Sequence, residues 1–123
     1  GVKIIHHQWK EETFFKLLHN ADIGIYHAPD TEEHRGKLAM KVLDYMAAGL
    51  PVVSVSYGIS SYAKENDNML FAKNNQDWLE KLTLLIENKE TREKIGRNAR
   101  KMVELKHNLS DSYLYLKKFI FNE

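Results

Sequence analysis

The chain has 123 residues, 43% of them hydrophobic and 28% charged, with a formal net charge of +1 and no cysteine. That make-up is one globular domain's worth of chain, long enough to bury a core. It argues against a dedicated nucleic-acid binder, a disulfide framework and thiolate chemistry. No apolar run reaches the length of a membrane span, no signal-peptide pattern opens the chain, and the expected location is cytoplasmic.

Residues 2–6 alternate and carry β-branched Ile4 and Ile5, which predicts a strand. Residues 10–20 follow as a helix, with Phe14, Phe15, Leu17 and Leu18 at helical spacing and Glu11 and Glu12 near its start. Residues 22–27 read as a second strand, and residues 28–36 as a polar loop. A helix is predicted over residues 37–48 on the stripe Leu38, Val42, Leu43 and Met46, stopped by Gly49 and Pro51. Residues 52–55 are apolar enough for a strand covered on both faces.

After an irregular stretch, residues 69–72 predict a short fourth strand. Asn74 or Asn75 caps a helix reaching residue 88, with Trp78, Leu82, Leu85 and Ile86 inward. Residues 91–106 form a second long helix on Ile95, Ala99, Met102 and Val103. A last one begins at Ser110, with Tyr113, Leu116, Phe119 and Ile120 on one face. Strands alternating with helices imply βαβ units: an α/β fold with a Rossmann-like parallel sheet flanked by helices, the C-terminal helices packing back. The chain opens in strand-like sequence without a Met, so an upstream part is expected to precede it.

In such a sheet, ligands bind beyond the carboxyl ends of the strands. Three loops follow predicted strands: residues 7–10, 28–36 and 56–60. The middle loop ends in Gly36, after which the amides of Lys37, Leu38, Ala39 and Met40 open a predicted helical turn, an anion seat flanked by Arg35 and Lys37. Asp44 lies eight residues beyond Gly36 and close to the apolar stripe. It is either a boundary carboxylate bonded to Lys41 or Tyr45, or an acceptor for a pair of ligand hydroxyls such as a ribose supplies.

The six histidines are scattered. His6 and His7 point to opposite faces of the predicted strand and no HExxH spacing exists, so metal catalysis is not expected. No GxSxG, Walker or GxGxxG motif occurs. Between Lys89 and Lys118 stand nine Lys or Arg against four Asp or Glu. They read as a solvated helical face or, alternatively, a patch for anionic lipid or a phosphorylated ligand.

Several runs stand in a recognisable order: Ala21-Asp22 before a strand, LDYMAAGLPVV from Leu43 to Val53, Gly58, Asn68-Met69-Leu70-Phe71, and TREKIGRNAR from Thr91 to Arg100. Together they resemble the C-terminal, donor-binding domain of GT-B glycosyltransferases, the large retaining family 4 in particular, over residues 2–107. The resemblance implies a single domain, 1–123, which is the nucleotide-sugar-binding part of such an enzyme, the N-terminal acceptor domain being absent. It implies that Asp44, at the second acid of an E-x7-E motif, accepts hydrogen bonds from the ribose of a nucleoside-diphosphate sugar of UDP or GDP type. The amides of Lys37, Leu38, Ala39 and Met40 hold the diphosphate, Arg35, Lys37 and Lys41 are charge partners, and Gln8 and Trp9 lie near the base.

The pattern departs from the family at Gly36, where the first acid would stand, and at Met69, which replaces a glycine. The family's diphosphate-binding Arg and Lys lie upstream. The implied activity is metal- and cofactor-independent transfer of a sugar to a saccharide or lipid-linked acceptor in cell-surface polysaccharide or glycoconjugate synthesis, with a peripheral contact at the inner face of the membrane. The fragment alone is expected to bind nucleotide weakly and not to turn over. A non-catalytic nucleotide-binding or interaction domain that keeps the fold is the alternative. A free-standing flavodoxin-like regulator is a third reading, but it requires an acidic cluster at the strand ends that this sequence lacks.

Overall fold

The computed structural model describes residues 1–121. Three short apolar segments build a parallel sheet in the order β1-β2-β3: β1 is Gly24–Tyr26, β2 is Val52–Ser54 and β3 is Leu70–Phe71. Gly24 stands opposite Val52 and Val53 opposite Leu70. β2 is central and its three residues are fully buried, which accounts for the consecutive valines Val52 and Val53.

Six helices accompany the sheet, in chain order: α1 Glu11–His19, α2 Glu32–Gly36, α3 Met40–Ala47, α4 Asn75–Glu87, α5 Lys89–Lys106 and α6 Leu109–Phe121; α3, α4 and α5 build its two packed layers. Side chains alternate across a strand, so the two valines of β2 serve different cores. Val52 packs with Val42 and Met46 of α3, Met69, and Ala99 and Met102 of α5. Val53 faces Leu70, Ala72, Leu85 of α4 and Ile95 of α5, with Trp78 and Leu82 beside them. Helix α5 therefore spans both layers.

Two close approaches hold this packing. Gly96 of α5 lies so near Gly49 that a Cβ on it would come within 2.1 Å of the Gly49 carbonyl oxygen. Gly49 is left-handed at φ 78°, the helix stop expected after α3. Gly24 leaves room for the Tyr45 ring, whose Cδ2 would stand 2.8 Å from an added Cβ, so α3 seats flush on β1.

Caps set the helix boundaries. The Asn74 side chain accepts from the Asp77 amide at 2.9 Å. Asn88 ends α4 with its own amide and starts α5 by accepting from Thr91 at 2.8 Å, so α5 begins at Lys89 rather than at Thr91. Asn88→Ala is expected to cost about 1 kcal/mol, the usual value of an N-cap, read as a lower urea midpoint at unchanged m-value.

Four expectations need correction. Residues 2–6 are not a strand: they have no ladder partner among the described residues, and Val2, Ile4 and Ile5 are 93%, 75% and 60% exposed. A strand is stabilised by its neighbour rather than by its own residues, and none is supplied. The loop at 28–36 contains α2, capped by the Thr31 hydroxyl, which accepts from the His34 amide. The helix predicted from residue 37 begins at Met40, because Lys37 is extended at ψ 139° and the Ala39 amide donates to the Gly58 carbonyl at 2.7 Å. Ile86 is 66% exposed, on the outer side of α4.

Candidate functional site

Helix α3 brings the sequence's candidates into two groups. Asp44 and Lys41 lie one turn apart on it and face the segment before α1. Between them lies a cleft of about 570 Å³, lined by Gln8, Trp9, Lys10, Lys41, Asp44 and Tyr45, with Phe14, Phe15 and Leu17 of α1 as its apolar wall. That volume falls within the roughly 300–1,000 Å³ of small-molecule sites. Gln8, Trp9, Lys41 and Asp44, named from two separate stretches of sequence, thus share one cavity.

The Asp44 side chain has no hydrogen bond and no ion pair among the described residues, neither with Lys41 nor with Tyr45. It is half-buried, and burial raises its pKa above the ordinary 3.8. Burial likewise raises that of the neighbouring Tyr45 phenol, with the Asp44 charge adding to it. A carboxylate held in this state is an acceptor with capacity to spare.

The second group lies on the α2–α3 connection and does not line that cleft. Arg35 donates from Nε and Nη2 to Asp30 at 2.5 and 2.8 Å, which keeps Asp30 below the usual carboxylate range. Lys37 pairs with Glu33 one turn back. Both pairs are exposed, and such pairs contribute little to stability. Gly36 closes α2 and has open space where a side chain would stand. Of the amides expected to form an anion seat, that of Ala39 is taken by Gly58. Those of Lys37, Leu38 and Met40 have no acceptor among the described residues. The connection therefore offers the free N–H groups of Lys37, Leu38 and Met40, interrupted at Ala39, in place of a regular helical first turn.

The sequence reading missed the α1 wall. Phe14, Phe15 and Leu17 have core-helix spacing, yet Leu18 is the buried residue of α1. The other apolar side chains face the cleft or solvent, and periodicity cannot tell a cavity wall from a core. Among the described residues no cluster of three His, Cys, Asp or Glu could hold a metal ion, and no helix is long and apolar enough to cross a membrane.

Comparisons with known proteins bear on this arrangement. The crystal structure of the C-terminal domain of a glycosyl transferase group 1 family protein (LpcC) from Francisella tularensis is similar in fold, with a TM-score of 0.70 at 19% identity. The alignment covers 85% of this chain and 53% of that one, so the chain spans about half the length of the solved domain. No curated protein matches. The family described as glycosyl transferase-like matches residues 1–116, nearly the whole chain. By that match the chain belongs to the glycosyl transferase-like family, with an α/β fold of the kind seen in a group 1 C-terminal domain.

Proposed function

We propose that the chain supplies the donor half of a retaining glycosyltransferase, binding a nucleoside-diphosphate sugar of UDP or GDP type for transfer to a saccharide or lipid-linked acceptor. The observation that carries the reading is the unpartnered, half-buried carboxylate of Asp44 in a cleft shared with Gln8, Trp9 and Lys41. A ribose offers two adjacent hydroxyl donors, and a carboxylate with open acceptor sites is their complement. The Trp9 ring suits a base, being large, flat and 72% exposed beside the cleft. From the ribose a diphosphate reaches toward Lys41 and the free amides of Met40, Leu38 and Lys37, where the α3 dipole and two lysines favour negative charge.

Retaining transfer requires the leaving diphosphate to be stabilised as its charge develops. The amide run and Lys41 are this chain's contribution to that step. Gly36 leaves the sugar end of the site without a carboxylate, so sugar selection falls to other residues. Cytoplasmic location, a role in polysaccharide or glycoconjugate synthesis and a peripheral membrane contact belong to the same reading.

Calorimetry of the chain with UDP and with GDP tests it. One of the two should bind in preference to inorganic phosphate, and Asp44→Ala should weaken it about tenfold or more, as expected for lost hydrogen bonds to a charged acceptor. Equal binding by the variant sinks the ribose assignment. The pH dependence has a defined sign. Because the folded pKa of Asp44 lies above 3.8, binding should weaken as pH falls through that raised value, while the carboxyl still bears a proton that a free aspartate would have lost. Stability runs the other way: the folded state holds the proton more tightly, so Asp44 favours folding at low pH and that contribution is lost as pH rises through the raised value. Asp44→Asn should abolish both slopes.

A further inference from the structure

The surplus of positive charge along the C-terminal helices is not spread evenly. Lys89 and Arg97 pair with Glu93, Arg100 pairs with Glu104, and Arg92 donates to the Leu85 and Ile86 carbonyls. Lys101 and Lys106 have no carboxylate partner among the described residues. Both line a cavity of about 300 Å³ between the second half of α5 and the loop that leads into β3. With Asn98, Met102 and Leu105 they stand at spacings of three and four, one face of a helix. The facing loop adds a third lysine without a carboxylate partner, Lys64. This cavity shares no lining residue with the cleft around Asp44.

The loop that carries Lys64 is fixed. Asn68 is buried, accepts from the Lys64 amide at 2.7 Å and donates to the Tyr62 carbonyl at 3.1 Å. Asn98 ties the loop to α5 by donating to the Asp67 carbonyl at 3.1 Å and to its carboxylate at 3.0 Å. The Tyr62 ring is held between Lys106, whose Nζ lies 5.2 Å from its centroid, and the edge of His107. Its hydroxyl has no partner among the described residues. The frame of the cavity is thus set before a ligand arrives, while the lysine heads stay free.

Three lysines face one carboxylate, that of Asp67, which leaves two positive charges in excess. A phosphate monoester carries about −1.5 to −2 at pH 7 and three strong acceptor oxygens, and lysine binds phosphate as a point charge with three donors. Met102 and Leu105 give the organic part of such an ester an apolar floor. We propose that this cavity binds a phosphate monoester, its oxygens shared among Lys64, Lys101 and Lys106, with the Tyr62 hydroxyl as a further donor. A soluble ester and the headgroup of a lipid such as phosphatidic acid present the same chemistry. The assignment goes beyond the donor-site reading and does not rest on it.

Two-dimensional ¹H–¹⁵N NMR of the chain at fixed ionic strength, titrated with methyl phosphate and with dimethyl phosphate, tests the proposal. Methyl phosphate should move the Lys64, Asn98 and Lys101 amides saturably, and dimethyl phosphate, a singly charged diester, should move them less at equal concentration. Lys64→Gln and Lys101→Gln should each weaken the binding about threefold to fivefold, the upper part of what an exposed ion pair contributes. Both side chains are exposed, so the variants should fold as the parent does. Lys94→Gln removes a lysine of α5 that does not line the cavity and should leave the binding unchanged. Co-sedimentation with phosphatidylcholine vesicles, with and without phosphatidic acid, separates the two sources. Retention by phosphatidic acid that Lys101→Gln weakens marks a lipid headgroup; saturable binding of methyl phosphate without retention marks a soluble ester.

The proposal is overturned if methyl phosphate and phosphatidic acid both fail to bind, or if dimethyl phosphate moves the amides as strongly. It is equally overturned if Lys64→Gln and Lys101→Gln bind as the parent does, or if Lys94→Gln weakens binding as much as they do. Absence of UDP or GDP binding would sink the nucleotide reading and leave this one intact.

Discussion

Gly96→Ala should lower the unfolding midpoint of this chain by several degrees, against the propensity of its helix. Alanine is the better helix former by about 1 kcal/mol, so a substitution scored on α5 alone would stabilise. The Cβ, however, would stand 2.1 Å from the Gly49 carbonyl oxygen, 3.2 Å from its carbon and 3.4 Å from Pro51 Cδ. The obstacle is backbone on one side and a proline ring on the other, so no rotamer change relieves it. The helix and the α3–β2 turn must part, loosening Ala99 and Met102 from Met46 and Val52. Overpacking of this kind costs about 1–3 kcal/mol beyond the propensity gain, roughly 3–15 °C for a domain of this size. Thermal unfolding followed by circular dichroism reads it directly. A midpoint at or above the parent's would show that α5 does not sit against Gly49.

Gly58→Ala should harm both stability and ligand binding, for a different reason. Gly58 is left-handed at φ 66°, where a Cβ costs about 1–2 kcal/mol in any surroundings. That Cβ would also lie 2.5 Å from the His34 carbonyl oxygen and 2.7 Å from that of Lys37. Meanwhile the Gly58 carbonyl accepts from the Ala39 amide. One glycine therefore clamps the α2–α3 connection from two sides and decides where α3 begins. Its alanine variant should lose about 2–4 kcal/mol from the strained conformation and the clash together. Under the proposed function it should also bind UDP or GDP about tenfold more weakly, because Lys41 and the free amides lose their common frame. Unfolding in urea and calorimetry on the same sample separate the two effects. Unchanged affinity in a folded variant would remove Gly58 from the positioning of the site.

Much of this architecture was legible in the residues. Gly49-Leu50-Pro51 after an apolar stripe marks the end of α3, and the unbroken Val52-Val53 marks a buried strand, because both signals are local. Asn74 and Asn88 stand where caps belong. The start of α3 was not legible. It depends on a hydrogen bond between Ala39 and Gly58, nineteen positions apart in the chain, and no helical period records such a contact. The strand expected at residues 2–6 failed for a related reason: β-branched residues state a preference, and only a neighbouring strand satisfies it.

The site divides in the same way. Helical spacing places Asp44 beside the apolar stripe of α3, whereas its role and that of Lys41 are what the family resemblance implies. The Arg35–Asp30 pair, which places Arg35 in a cleft at the carboxyl ends of the strands instead of beside Asp44, follows from helix α2, in a segment whose polar sequence predicts a loop. Thr31 followed by Glu32 and Glu33 was the available signal for it.

The two-layer reach of α5 bears on how the chain holds together as a unit. Ile95 belongs to one core, Ala99 and Met102 to the other, and Gly96 touches the turn between α3 and β2. Neither face of the sheet can open without disturbing this helix, so the sheet, α3, α4 and α5 form a single cooperative block. Helix α6 contributes no buried residue, and Tyr113, Leu116, Phe119 and Ile120 are all more than half exposed. A helix of 13 residues without packing is marginal in water. The cooperative block therefore ends near His107, and α6 adds no buried side chain to it.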